Sequence, residues 1–289
     1  MFDELKSKEK YLHKIPKELF LPTGTSFDTT GTCAEINKYL KLSKIKTLYC
    51  FDLLNTSDVK NIEFHSPLKE LNLCFNGYIS TKPKYGNISD LLHLKNIESL
   101  NMDYYVRFKG LDKLTELGKL KRLKINVEKE NYDIFSSLKN IKSLEFTCSQ
   151  ATDLAIIENM SHLEKLTISH CSKLIDVTGL KKLIELKKLR IVGTKKLKKI
   201  DGLFELNLKE LIFKDVLISA SSLKGLKEME IEILQVDSKN LKHLDFIPKQ
   251  SLKELNIYSF NNSNELFEKA NSIESKNYKV IQRNWNNAL

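Results

Sequence analysis

Leu163-Glu164-Lys165-Leu166-Thr167-Ile168-Ser169-His170-Cys171 decides the fold, because its spacing recurs along most of the chain. Apolar residues stand at its positions one, four and six, with Cys171 at nine. The spacing starts again at Ile45, Leu68, Ile97, Leu120, Ile141, Leu186, Leu208, Leu226 and Leu252, as in Leu68/Leu71/Leu73, Leu120/Leu123/Ile125 and Leu186/Leu189/Ile191. The mean interval between starts is roughly 23 residues, a period at which short structural units repeat and stack. Leu68 to Ile97 is the longest interval and Leu208 to Leu226 the shortest. A unit this short cannot bury its apolar face alone, so neighbouring copies stack and share one core.

Inside the stretch, Leu166 and Ile168 point one way and Thr167 and Ser169 the other, which is the alternation of a short strand. Stacked strands make a parallel sheet, and the residues between them return along its other side. The returns carry apolar residues three apart: Leu114 and Leu117, Phe135 and Leu138, Leu180 and Leu183. That spacing predicts a short helix or a 3-10 turn laying one stripe on the back of the sheet. Gly179-Leu180 recurs as Gly202-Leu203 in the next copy, so those two returns superpose in register.

From about Ile45 to Phe260 the pattern resembles the leucine-rich-repeat family, and its leucine-spaced return resembles the 22-residue class of internalin-like bacterial proteins. The resemblance implies an α/β leucine-rich-repeat solenoid of about ten repeats. A curved parallel sheet would line the concave side, with short helices or 3-10 turns on the convex side. Residues 1–44 would form an N-terminal cap, in which Thr32-Cys33-Ala34-Glu35 has the form of a capping box opening a helix through Leu42. Residues 261–289 would close the other end, with a helix over Asn264–Asn271 and a last strand over Tyr278–Trp285. The long second repeat predicts an exposed loop at Gly77–Gly86, and the short eighth leaves little room for a return helix.

Hydrophobic content of 41% supports a continuous core, and no apolar run approaches the length that spans a membrane. Met1–Lys8 lacks the apolar core of a signal peptide, and the five cysteines include no C-x-x-C pair. Free thiols in a reducing, cytoplasmic setting are the expectation. The net charge of +10 gathers in part at Lys181, Lys182, Lys187, Lys188, Arg190, Lys195, Lys196, Lys198 and Lys199, opposed there only by Glu185.

Residues alternating with the inward leucines should face outward. The middle position of each strand gives Tyr49, Asn72, Asn101, Lys124, Glu145, Thr167, Arg190, Ile212, Glu230 and Asn256. The next outward position gives Phe51, Cys74, Asp103, Asn126, Thr147, Ser169, Val192, Lys214, Glu232 and Tyr258. Arg122, Lys124 and Arg190 are positive, whereas Glu228, Glu230 and Glu232 would form an acidic row. That mixture argues against nucleic acid, since each phosphate contact needs its own cation. Aromatic side chains concentrate early, at Tyr49, Phe51, Phe75, Tyr104 and Tyr105, and aromatics beside charge suit a protein interface. The candidate partner-binding set is Tyr49, Phe51, Asn72, Phe75, Asn101, Asp103, Tyr104, Arg122, Lys124, Arg190, Glu230 and Tyr258.

Catalysis finds little support. Cys148 and His170 share a position in adjacent repeats, but no third group is spaced to join them in a thiolate or metal site. No H-E-x-x-H, G-x-S-x-G or phosphate loop is present. The expectation is a non-enzymatic protein-binding solenoid without cofactor, metal or small-molecule substrate, of the scaffold or toxin-neutralising kind. The alternatives are a surface adhesin like the internalins, and a binder of nucleic acid or an anionic surface through Lys181–Lys199.

Overall fold

A computed structural model describes residues 18–21, 46–51, 68–74, 84–102, 106–237, 245–248, 250–259, 265–272 and 277–284. The chain divides into two compact units, Met1–Asn126 and Val127–Leu289. In the first, strands β1 (Glu18–Leu21), β2 (Thr47–Phe51), β3 (Glu70–Cys74), β5 (Ser99–Met102) and β7 (Arg122–Asn126) pair in parallel, each with the next in that order. Strands β4 (Lys84–Asn87) and β6 (Val106–Lys109) form a separate parallel pair. In the second unit, β8 (Ser143–Thr147), β9 (Lys165–Ser169), β10 (Lys188–Val192), β11 (Glu210–Lys214), β12 (Ile233–Asp237), β13 (Glu254–Ser259) and β14 (Lys279–Asn284) follow one another in parallel.

Leucine spacing sets this register. Leu144, Leu166, Leu189, Leu211, Leu234 and Leu255 stand opposite one another in a single row, and each is at most 1% exposed. A second inward row runs through Phe146, Ile168, Ile191, Phe213, Val236 and Ile257. Burying each such side chain stabilises by roughly 1.5–3 kcal/mol. The returns supply the opposite wall, and their apolar residues three apart are buried as expected: Leu114, Leu117, Phe135, Leu138, Leu180 and Leu183. Leu111–Glu116, Thr178–Lys182 and Asp201–Leu203 are 3-10 turns, and Ile134–Ser137 is one short α-turn. Carboxylates or amides start several of them: Asn87 Oδ1 accepts from Ser89 N at 3.0 Å, Asp153 from Ala155 N at 3.0 Å and Asp176 from Thr178 N at 2.8 Å. A short second ladder ties the returns together, with a bridge between Asp176 and Lys199.

Most entries of the stacked strands are tied to the preceding strand through one carbonyl that takes two N–H groups. Lys142 O accepts from Glu164 and Lys165, Glu164 O from Lys187 and Lys188, and Lys187 O from Lys209 and Glu210. The residues at that repeat position form a charged row: Lys142, Glu164, Lys187, Lys209, Glu232 and Lys253 in the second unit, and Lys46, Lys69, Glu98 and Lys121 in the first. Glu98 bonds Lys69 at 2.7 Å, Glu232 bonds Lys253 at 2.6 Å, and Lys142 pairs with Glu164. The lysines hold the Glu98, Glu164 and Glu232 carboxyls below the usual range. These pairs are exposed, so solvent screens them and they align repeats more than they stabilise them.

Strand exits carry a left-handed residue at one repeat position: His170 at φ 53°, Gly193 at φ 64° and Asp215 at φ 52°. It turns the next residue inward, so Cys171, Thr194 and Val216 are buried. His170 N and Gly193 N then reach the carbonyls of Val192 and Lys214 at 2.8 and 2.9 Å. A Cβ on Gly193 would lie 2.5 Å from His170 Nδ1, so this copy needs glycine for its φ and for the imidazole above it. Gly193→Ala should cost about 1–2 kcal/mol from φ alone, plus the displacement of the ring. His170→Ala in the same chain should return only the ring part, read from urea titrations of both singles and the double. Equal losses in the two backgrounds would refute the ring contact.

Three expectations are corrected. Leu226/Met229/Ile231 is not a strand: Leu226 ends the 3-10 turn Ser221–Glu228, and the strand begins two residues after Ile231, with Leu234 opposite Leu211. The copy that starts at Leu208 therefore runs to Ile231 and is of ordinary length, with room for the return that ending at Leu226 would have removed. Lys84, Tyr85 and Gly86 belong to β4 and not to a loop, while 75–83 lies outside the described residues. Strand β1 adds a parallel partner upstream of Ile45; the expected capped helix before Leu42 lies outside the described residues. At the other end, the helix Glu265–Asn271 and β14 fall where expected, and Trp285 lies outside the described residues.

Candidate functional site

The outward face of each sheet is a grid whose columns are fixed by register. In the first unit Tyr49, Asn72, Asn101 and Lys124 stand opposite one another, flanked by Thr47, Glu70, Ser99 and Arg122. Arg122 reaches Glu70 at 3.8 Å. Asn72 donates to Glu70 at 3.2 Å and accepts from Asn101 at 3.1 Å. The four side chains are one network. Its cost falls on Asn72, which is 3% exposed with its amide committed to two neighbours, so it holds the face together and is not presented to a partner. Asn101 and Lys124 are half-buried and Arg122 is exposed, as outward residues should be.

By backbone register Tyr49 stands opposite Asn72, Phe51 opposite Cys74 and Tyr258 opposite Asp237. Phe75, Asp103, Tyr104 and Tyr105 lie outside the described residues. Glu230 does not belong to the middle column. It precedes β12 and pairs with Lys209 at 3.4 Å, while Gln235 stands between Ile212 and Asn256. The acidic row of Glu228, Glu230 and Glu232 dissolves with the same change of register.

In the second unit the middle column reads Glu145, Thr167, Arg190, Ile212, Gln235, Asn256 and Ile281. Lys188 in the neighbouring column bonds Glu210 at 2.6 Å, and Asn256 donates to Glu254 at 2.6 Å. Gln235, Asp237 and Asn256 are each less than a tenth exposed. The open part of the grid is therefore β9 to β11, where Thr167, Ser169, Val192 and Ile212 are half-buried and Arg190 is exposed.

The Lys181–Lys199 cluster is not one surface. Lys182 pairs with Glu158 at 2.8 Å, Lys188 with Glu210, Lys195 with Asp215 at 3.4 Å and Lys199 with Asp176 at 3.7 Å. Lys181 meets Glu205 at 4.0 Å. Sequence proximity missed these partners because each lies one repeat away. Lys188 and Arg190 belong to the sheet, whereas Lys195, Lys196, Lys198 and Lys199 belong to the return. A phosphate backbone would need cations in a row on one face.

Cys148 and His170 do not make a pair. The left-handed His170 shifts its repeat by one residue, so Cys148 is buried and His170 exposed. The partner of Cys148 is Cys171, whose sulfur accepts from Cys148 N at 3.2 Å. Burial pushes the Cys171 thiol up to about 12 and raises Cys148 as well. Both are free, and neither is a nucleophile near neutral pH. At pH 8 a disulfide reagent should leave both unlabelled in the native protein and label both in urea, read by peptide mass. Prompt native labelling of either would contradict the burial. Among the described residues no group of three metal-binding side chains converges.

No protein-family model matches the chain, and no curated protein matches it in sequence. Among solved structures, an internalin (inlF) from Listeria monocytogenes str. 4b F2365 aligns at a TM-score of 0.53 and 18% identity, over 86% of this chain and 71% of that one. The fold is a leucine-rich-repeat solenoid. Internalin C2 (inlC2) of the same strain also aligns, at a TM-score of 0.46 and 20% identity over 68% of this chain and 84% of that one. At 18% identity the likeness to the internalin (inlF) speaks for the fold alone. The stacked parallel strands and 3-10 returns are what that fold requires. Among the described residues no helix is long and apolar enough to cross a membrane.

Proposed function

We propose that this protein is a non-enzymatic binding protein that recognises a protein partner through the outward face of its parallel sheet. The observation that carries this reading is the grid itself: rows of buried leucines hold outward side chains of mixed charge and polarity at fixed spacing. Fixed, chemically varied side chains on a rigid sheet suit selective protein recognition. The repeats would span 45–260, with 1–44 and 261–289 closing the two ends. A cytoplasmic scaffold or toxin-neutralising protein of bacterial type fits this reading, and a surface adhesin of the internalin type is the rival.

The basic cluster supports a nucleic-acid or anionic-surface role less, since most of its cations are paired across repeats and divided between sheet and return. With a partner purified on the full-length chain, Lys124→Ala and Arg190→Ala should each weaken binding about tenfold, one charge-assisted contact. Tyr49→Ala and Tyr104→Ala should weaken it comparably, with thermal midpoints unchanged. A partner bound equally well by all four variants overturns the reading. Salt dependence separates the rivals: a steep logarithmic slope indicates phosphate contacts and a shallow one a protein interface.

A further inference from the structure

Resting on the proposed sheet-face reading, we infer that strands β9 to β11 carry a carboxylate-binding patch centred on Arg190, which takes an acidic segment of the protein partner. Arg190 is exposed, its cross-strand neighbours Thr167 and Ile212 are uncharged, and no described carboxylate pairs with it. By contrast, Arg122 on the first unit's face has Glu70, and Lys188 beside Arg190 has Glu210. In the adjoining column Lys165 stands directly opposite Lys188, a like-charge pairing that costs a sheet stability. Glu210 answers Lys188 alone, and Lys165 makes no ion pair among the described residues. The outward positions of β9 to β11 thus hold four cations, Lys165, Lys188, Arg190 and Lys214, and one carboxylate, Glu210, beside the half-buried apolar surface of Val192 and Ile212.

A guanidinium next to a dry floor holds a carboxylate through two parallel bonds, more strongly than in open water. The uncommitted charge spans only two strands, roughly 5 Å apart. Beyond them the middle column carries Glu145 on one side and Ile212, Gln235 and Asn256 on the other, with no cation. A patch this size matches one or two acidic side chains and is too short to follow a phosphate backbone. Complementary charge against an apolar floor selects a Glu- or Asp-rich protein segment.

The test titrates the full chain with fluorescein-labelled hexaglutamate at low salt, following anisotropy. Arg190→Gln should weaken binding about tenfold and Lys165→Gln about threefold, while Lys196→Gln on the return leaves it unchanged, each variant keeping its thermal midpoint. No binding of hexaglutamate, or equal weakening by Lys196→Gln, overturns the patch. Displacement by oligothymidylate of equal charge that requires Arg190 overturns the acidic-protein assignment in favour of phosphate. Amide-exchange protection by hexaglutamate on β9 to β11 supports the patch. Protection on other strands of the sheet overturns the patch alone, and protection away from every strand overturns the sheet-face reading with it.

Discussion

Phe146→Ala should destabilise the protein by about 3–5 kcal/mol, the largest loss expected from a single truncation. Phe146 is fully buried on β8, and its ring lies 5.5 Å from that of Phe135, tilted by 57°. Most inward positions hold leucine or isoleucine. Here two aromatics from strand and return fill the same layer, so truncation leaves a void that neighbouring leucines are too short to close. The tilted ring contact adds roughly 0.5–1.5 kcal/mol to the burial itself. Urea unfolding of Phe146→Ala, Phe135→Ala and the double variant checks this. The double should cost less than the two singles together, because they share one contact and one cavity. A loss below about 1 kcal/mol for Phe146→Ala would mean that the layer collapses freely, and the packing described for β8 would be wrong.

Gly202→Ala should cost about 3 kcal/mol for adding one methyl group. Its Cβ would sit 2.4 Å from Thr178 O and 2.6 Å from Thr178 Cα. Both are main-chain atoms in the preceding return, so relief requires one return to move off the other. Gly118→Ala is the control, since nothing lies within 4 Å of its Cβ position, and it should stay within about 0.5 kcal/mol of wild type. Equal midpoints for the two variants would show that the returns are not stacked as closely as Gly202 and Thr178 indicate.

The strand rows were legible because leucine at positions one, four and six is dictated by burial on a sheet with one covered face. Leu163, Leu166 and Ile168 fixed their neighbours with no other information. The same logic misfired at Leu226, because Leu226/Met229/Ile231 and Ile231/Leu234/Val236 both satisfy the spacing. Only the length of the return distinguishes them. That slip also misplaced Glu230, since an outward column is only as good as the register beneath it. Burial of Asn72 was not legible: it depends on Glu70, two residues back on β3, and on Asn101, which reaches it across from β5. The pairing of the Lys181–Lys199 cations was hidden for a related reason. Their acids stand one repeat away in sequence, yet a single strand spacing away in space. A search one repeat length upstream and downstream of each cation would have found Glu158, Glu205, Glu210 and Asp176.

The charges at the strand entries, where each glutamate stands between lysines of the neighbouring copies, make the order of the copies matter. Excising the copy that holds Glu164 would set Lys142 against Lys187, two ammonium groups at a position built for an attractive pair. Excising the one that holds Lys187 would instead bring Glu164 beside Lys209 and remove the like-charge step between Lys187 and Lys209. Copies that look interchangeable by their leucines are therefore not interchangeable parts, and loss or duplication of a copy would be tolerated at some junctions and resisted at others.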